Sequence, residues 1–277
     1  MTKDMVDIFS DKFLSQTGEN IYKWITNIYG EEWGEHSNSD LIPDDDNITI
    51  FLCDIDEDNK RDGGVLGFFY AKDNFYRTKY DFSNQRIMFY IDAVLFAEKE
   101  ELLWDISDKW PMQCISTLAH EFQHMIHFYQ KSVLKTNKNS ETFLNEMCSL
   151  IAEDFVADKL QTDGPRGVAY DIGGAGSPGN KNGRLPLFNY YNGSSLTNWG
   201  NGTTKTEELM KSYAICYSFA AYIARNFGGA LLFRNIVQND KYDYRAIDDA
   251  LKISGFSDET FFTLIQKWGV AVLLSDI

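Results

Sequence analysis

The hydrophobic period changes once along this chain, and that change limits the folds open to it. Through the first hundred residues, apolar side chains gather in short β-branched and aromatic runs. These are "ITIFLCDI" (48–55), "GVLGFFYA" (64–71) and "RIMFYIDA" (86–93), each bounded by Asp, Asn or Gly, as strands are. A helix precedes them: "NIYKWITNIYG" (20–30) has helical spacing and stops at Gly30. From about Ile106 the repeat becomes helical. Helices are expected near 111–130, 141–161, 205–227, 229–239, 244–253 and 257–273. Strands followed by helices imply an α+β chain, with a helix and sheet over 1–105 and a mainly helical part over 106–277.

Charge and composition remove several function classes. A net charge of −15 over 277 residues repels both a nucleic-acid backbone and an anionic membrane. No stretch approaches the roughly 18 apolar residues of a membrane span. The opening "MTKDMVDIFSDKFL" lacks the apolar core of a signal peptide. Cys53, Cys114, Cys148 and Cys216 are scattered among apolar neighbours and read as buried free thiols rather than a disulfide framework.

Two motifs mislead. "GGAGSPGNK", inside the Gly-rich stretch 163–185, resembles a phosphate loop, but Asn180 follows its last Gly and a helix, not a strand, precedes it. A loop beside a cleft is the expectation there. "DIDEDNKRDGG" (54–64) alternates carboxylates as a calcium loop does. Asn59 stands where the turn needs Gly, and Val65 where the loop needs a bidentate Glu. An acidic hairpin turn is expected instead.

The chemistry concentrates in "STLAHEFQHMIHF" (116–128), which holds three of the four histidines. On a helix, Leu118, Phe122, Met125, Ile126 and Tyr129 form the core stripe, while His120 and His124 neighbour each other on another face. Two imidazoles four residues apart can grip one ion from one rigid rod. Glu121 is rotated one residue away, within reach of the ion's open side. This is the H-E-x-x-H arrangement of zinc hydrolases.

A catalytic zinc wants three protein ligands and an open fourth position. His127 lies about 10 Å along the axis from His120 at 1.5 Å per residue, too far to share its ion. The metzincin pattern fails, because Gln130 and His127 stand where His and Gly are required. His36 is a remote candidate. On the next helix, Glu146, Ser149 and Glu153 form a polar seam opposite Phe143, Leu144, Met147, Ile151 and Phe155. An antiparallel helix pair would bring Glu146 to the two rings, so Glu146 is the expected third ligand.

His120-Glu121-x-x-His124 followed by Asn145-Glu146-x-x-Ser149 resembles the gluzincin metallopeptidases. "AHEFQHMIHF" and "FLNEMCSLIAEDF" look more closely like the hyicolysin family, relatives of the spirochaetal pallilysins. "DNITIFLCDI", "GFFYAKD", "SNQRIMFYID" and "SYAICYSFAAYIARNFGG" extend the likeness over roughly residues 20 to 270. The resemblance implies a thermolysin-like fold: an N-terminal mixed-sheet subdomain, a helical catalytic subdomain, and the active site in a cleft between them. It also implies a Zn2+ cofactor, protein or peptide substrates and export to the envelope or medium. Two departures stand out. Leu150 occupies the position of an outer Asp, leaving Glu153 or Asp154 as candidates to orient the histidines. Met147 replaces the usual Gly after the ligand Glu.

Glu121 is then expected as general base. Tyr213, which opens the helix beyond the Gly-rich stretch, is the candidate oxyanion donor. A core aromatic role, or Tyr190 or Tyr191 in its place, stays open. No G-x-M-E-N segment marks an aminopeptidase, so an endopeptidase is expected, with "GVLGFFYA" or "RIMFYIDA" offering a sheet edge to an extended substrate. The rival reading is a catalytically idle protease fold kept as an adhesion module for a host or matrix protein. An intact Glu121 speaks against it.

Overall fold

The structure, a computed structural model, describes residues 1–15, 18–43, 47–167 and 183–275. The chain divides into two compact units, Met1–Tyr129 and Gln130–Ile277.

In the first unit, α1 (Lys3–Phe13) is capped by the Thr2 hydroxyl and α2 (Ile21–Tyr29) by Asn20, whose side chain accepts from the Lys23 amide at 2.9 Å. Ile21, Ile25 and Tyr29 recur every fourth residue and are fully buried, which fixes the inner face of α2. Gly30 ends the helix with φ of 102°, a backbone state that costs other residues. The strands are β1 (Thr49–Cys53), β2 (Gly67–Phe68) and β3 (Met88–Asp92), in the order β1-β3-β2, with β1 parallel and β2 antiparallel to β3. Because β1 and β2 are not neighbours, 54–64 is part of a crossover connection and not the expected hairpin turn. The Asp54 carboxylate folds it by accepting from the Asn59 amide.

Asp92 ends β3 and serves two segments. Its carboxylate caps α3 (Ala93–Phe96) through the Leu95 amide at 2.7 Å and accepts from the Ile55 amide at 2.8 Å. Against the inner face of β3 lies α4 (Lys109–His127), where the Phe13, Phe89 and Phe122 rings meet. β2 is pressed equally hard between β3 and α4. A Cβ on Gly67 would stand 2.7 Å from the Tyr90 carbonyl oxygen and 2.9 Å from Thr117 Cγ2. Only glycine permits that approach.

α4 continues into a π-helical stretch, Phe128–Thr136, where one uninterrupted helix to 130 was expected. In the second unit the helices are α5 (Thr142–Leu160), α6 (Arg184–Tyr191), α7 (Thr206–Asn226), α8 (Gly229–Gln238), α9 (Arg245–Ile253) and α10 (Phe261–Ser275). α7 is the hub, touching α5, α6, α8 and α10. Its Ala214, Cys216, Tyr217, Phe219, Ala220 and Ile223 are buried. The loop expected over the Gly-rich stretch falls largely on 168–182, outside the described residues. Cys53, Cys114, Cys148 and Cys216 form no disulfide among the described residues, the last three being buried and Cys53 partly so. Burial pushes the Cys148 thiol up to about 12, so it is inert as a nucleophile at neutral pH. No helix among the described residues is long and apolar enough to cross a membrane.

Candidate metal centre

α4 is more deeply enclosed than an amphipathic surface helix. Core residues Leu118, Phe122, Met125 and Ile126 are fully buried, as the periodicity requires, and His120, Glu121 and His127 are buried too. His124 is half-buried. The helical repeat places the His120 and His124 rings 4.7 Å apart, nearly perpendicular at 80°. Edge-on rings at that spacing can turn one nitrogen each toward a common point.

Glu146 sits on the first turns of α5, half-buried, 22 positions after His124. One ligating atom from each of His120, His124 and Glu146 lies within 4.8 Å of the others, and this is the group of its kind among the described residues. On a tetrahedron with bonds of about 2.0–2.1 Å, ligand atoms stand about 3.4 Å apart. The trio therefore needs to close by no more than roughly 1.4 Å, which side-chain rotation supplies. Two neutral imidazoles and one carboxylate are also the donor chemistry that a borderline divalent ion prefers. The set fits a metal ion.

The other expected participants are distributed differently. His36 turns its Nε2 to the Ile42 carbonyl at 2.9 Å and packs edge-on to Trp33, apart from the metal group. His127 is buried in the last turn of α4 and is likewise not in that group. Ser149 is buried and donates to the Asn145 carbonyl at 3.2 Å, so it belongs to its own helix rather than to a polar seam. Asp154 accepts from the Tyr217 phenol at 2.8 Å and pairs with Arg225 at 3.0 Å and Arg166 at 3.1 Å. It binds α5 to α7 and to the turn Gly164–Arg166. Burial and the Asp154 charge together hold the Tyr217 phenol well above its usual range.

Tyr213, in the second turn of α7, is half-buried. The Trp199 ring meets it edge-on at 4.9 Å, and the Arg184 guanidinium lies 4.6 Å over its ring. Tyr190 is largely exposed on α6, and the Lys211 ammonium stands 5.3 Å from the Tyr191 ring. Sequence reasoning missed Arg184 and Trp199. Nothing local marks either one, since Arg184 opens a helix hidden behind Gly and Pro residues.

Comparison with known proteins agrees with this chemistry. The family model described as Peptidase M30 matches residues 1–274. The chain is 25% identical over 251 residues to a protein of Staphylococcus hyicus named neutral metalloprotease ShpI. That match covers 87% of this chain and 49% of the relative, so the chain spans about half the relative's length. The chain belongs to the Peptidase M30 family, as its likeness to the hyicolysins implied.

Proposed function

We propose that this protein is a zinc-dependent endopeptidase in which His120, His124 and Glu146 hold the metal. The observation that carries the reading is the convergence of those three side chains, with Glu121 between the two histidines, in a chain of the Peptidase M30 family. When bound, zinc polarises the scissile carbonyl and lowers the pKa of a water from about 15.7 to near 7. Glu121 takes a proton from the attacking water and passes it to the leaving amine. Tyr213 donates its phenolic O–H to the oxygen that becomes negative, a contact worth about 3–4 kcal/mol in other hydrolases. The Arg184 guanidinium over the ring holds the ring in place.

The substrate backbone runs along the outer edge of β2. Two features support this path: β2 is an edge strand, and Thr117 of α4, against which Gly67 packs, lies one turn before Glu121. β3, the other strand considered for the role, is central and has both edges occupied. Export of the protein is part of this reading and rests on family resemblance.

Measurement of bound zinc and of cleavage of an unfolded protein, for wild type and Glu121→Gln, tests the assignment. Metal retained in both and cleavage reduced by at least about a thousandfold in the variant is expected. Equal cleavage by the two proteins rejects Glu121 as the base. In Glu146→Ala, bound zinc should fall to a small fraction of the wild-type level.

A further inference from the structure

The outer face of the sheet carries a row of half-buried to exposed aromatic rings, and the loop after β2 adds exposed rings around one cation. Phe51 of β1, Tyr90 of β3 and Phe68 of β2 stand in register across the three strands. Ring centroids are 5.8 Å apart for Phe51 and Tyr90 and 4.2 Å for Phe68 and Tyr90. Two residues beyond Phe68, half-exposed Tyr70 carries the Lys72 ammonium 4.6 Å over its ring. The same ammonium lies 6.0 Å from the ring of Phe82, which is 85% exposed.

The loop imposes that exposure. Buried Asp73 accepts from the Asn84 amide at 3.0 Å and from the Tyr90 phenol at 2.7 Å. The buried Ser83 hydroxyl bonds to the carbonyls of Asp73 and Phe75, and Arg77 Nε donates to the Ser83 carbonyl at 2.9 Å. With residues 83 and 84 pinned from beneath, Phe82 is held outward. A phenyl ring left in water forgoes about 1.5–3 kcal/mol of burial. Large aromatic side chains left exposed near one another mark an interaction site.

Charge narrows the partner. The chain carries −15, yet residues 70–86 hold Lys72, Arg77, Lys79 and Arg86 against Asp73 and Asp81. Asp73 is buried beneath the loop, and Lys79 is paired with Asp40 at 2.9 Å. The exposed loop is thus locally positive on an acidic protein. The surface also runs directly from β2, whose edge is the proposed substrate path.

We infer that Phe82, Tyr70 and Lys72, with the Phe51–Tyr90–Phe68 row, form an exosite. It grips aromatic and acidic side chains of an extended polypeptide substrate away from the scissile bond. The inference rests on the peptidase reading for its substrate class, but binding can be read without turnover.

The test compares metal-loaded wild type, the double variant Phe82→Ser with Lys72→Gln, and Leu103→Ser, a similarly exposed apolar control. Substrates are reduced, carboxymethylated casein and a fluorogenic hexapeptide. In the double variant the ratio of kcat/KM for casein to that for the hexapeptide should fall roughly tenfold, through KM. Leu103→Ser should leave the ratio as it is, and an unchanged ratio in the double variant overturns the exosite. Casein binding, measured by fluorescence anisotropy in a Glu121→Gln background, should weaken by a similar factor. Absence of all wild-type cleavage would remove the peptidase reading while this binding arm still decides the exosite. Loss of flotation with phosphatidylcholine–phosphatidylglycerol vesicles, with casein affinity intact, would assign the surface to lipid and overturn the proposal.

Discussion

The phenol of Tyr217 donates to the Asp154 carboxylate at 2.8 Å, tying the helix that carries Glu146 to the helix that carries Tyr213. The same carboxylate, almost wholly buried, neutralises Arg225 and Arg166. Asp154→Ala removes the shared acceptor of Tyr217, Arg225 and Arg166. Arg166 keeps Asp158 at 2.6 Å and Arg225 is about half exposed, so the cost is about 1–3 kcal/mol. Urea unfolding should show that loss. Asp154→Asn keeps an acceptor for Tyr217 and should cost less. Equal stability of Asp154→Ala and wild type would dismiss the network as a tie between the helices.

Lys131 in the π-helical stretch is fully buried, and its ammonium donates to Asn239 O, Asn239 Oδ1 and Lys241 O at 3.1, 3.0 and 2.6 Å. Burial pushes its pKa down to about 8, outweighing the attraction of Asp240 and Asp243. An unfolded lysine titrates near 10.4. Between about pH 8 and 10.4 the unfolded chain therefore holds a proton that the folded chain has shed, and stability rises with pH across that window. The burial penalty is full below pH 8. Relative to Lys131→Met, wild type should gain about 3 kcal/mol between pH 7.5 and 10.5. Urea titrations of both proteins at the two pH values read this difference. A pH-independent difference would mean that the lysine titrates normally.

Gly67 tests the packing of β2 against α4. An alanine methyl there meets a backbone oxygen at 2.7 Å, and a backbone oxygen in a paired strand has little room to yield. Gly67→Ala should cost about 1–3 kcal/mol and lower cleavage with it. A thermal midpoint equal to wild type would show that the strand shifts freely.

Tyr213→Phe separates a donor from a packed ring. Phenylalanine keeps the edge-on contact with Trp199 and the place under Arg184 but removes the O–H. Expected are retained zinc, a nearly unchanged KM and a kcat lower by roughly a hundredfold. An unaltered kcat would return Tyr213 to a packing role and move the search to Tyr191.

Much of this molecule was legible because the responsible forces are local. Asn20 and Gly30 bound α2 because a cap and a left-handed terminator act on the backbone within a turn. The His120–His124 spacing puts two rings side by side on any α-helix. Short elements were harder. α6 lay hidden because Pro186 and the Gly-rich stretch before it look like loop, and α1 lacks the strong stripe of α2. The strand expected over 64–71 pairs only at 67–68, where β3 and α4 close on Gly67 from both sides.

What tertiary structure alone decided is which distant groups meet. The order β1-β3-β2 made 54–64 a crossover and left β2 as an edge. Packing on α7 gave Asp154 to Tyr217 and two arginines, although its position in the chain suited a histidine partner equally well. The approach of Glu146 to the two imidazoles also arises between side chains of different helices. Periodicity and capping report the energy of one segment against its own alternatives. Pairing between segments depends on the shape and polarity of both surfaces together, and no single stretch of sequence carries that information.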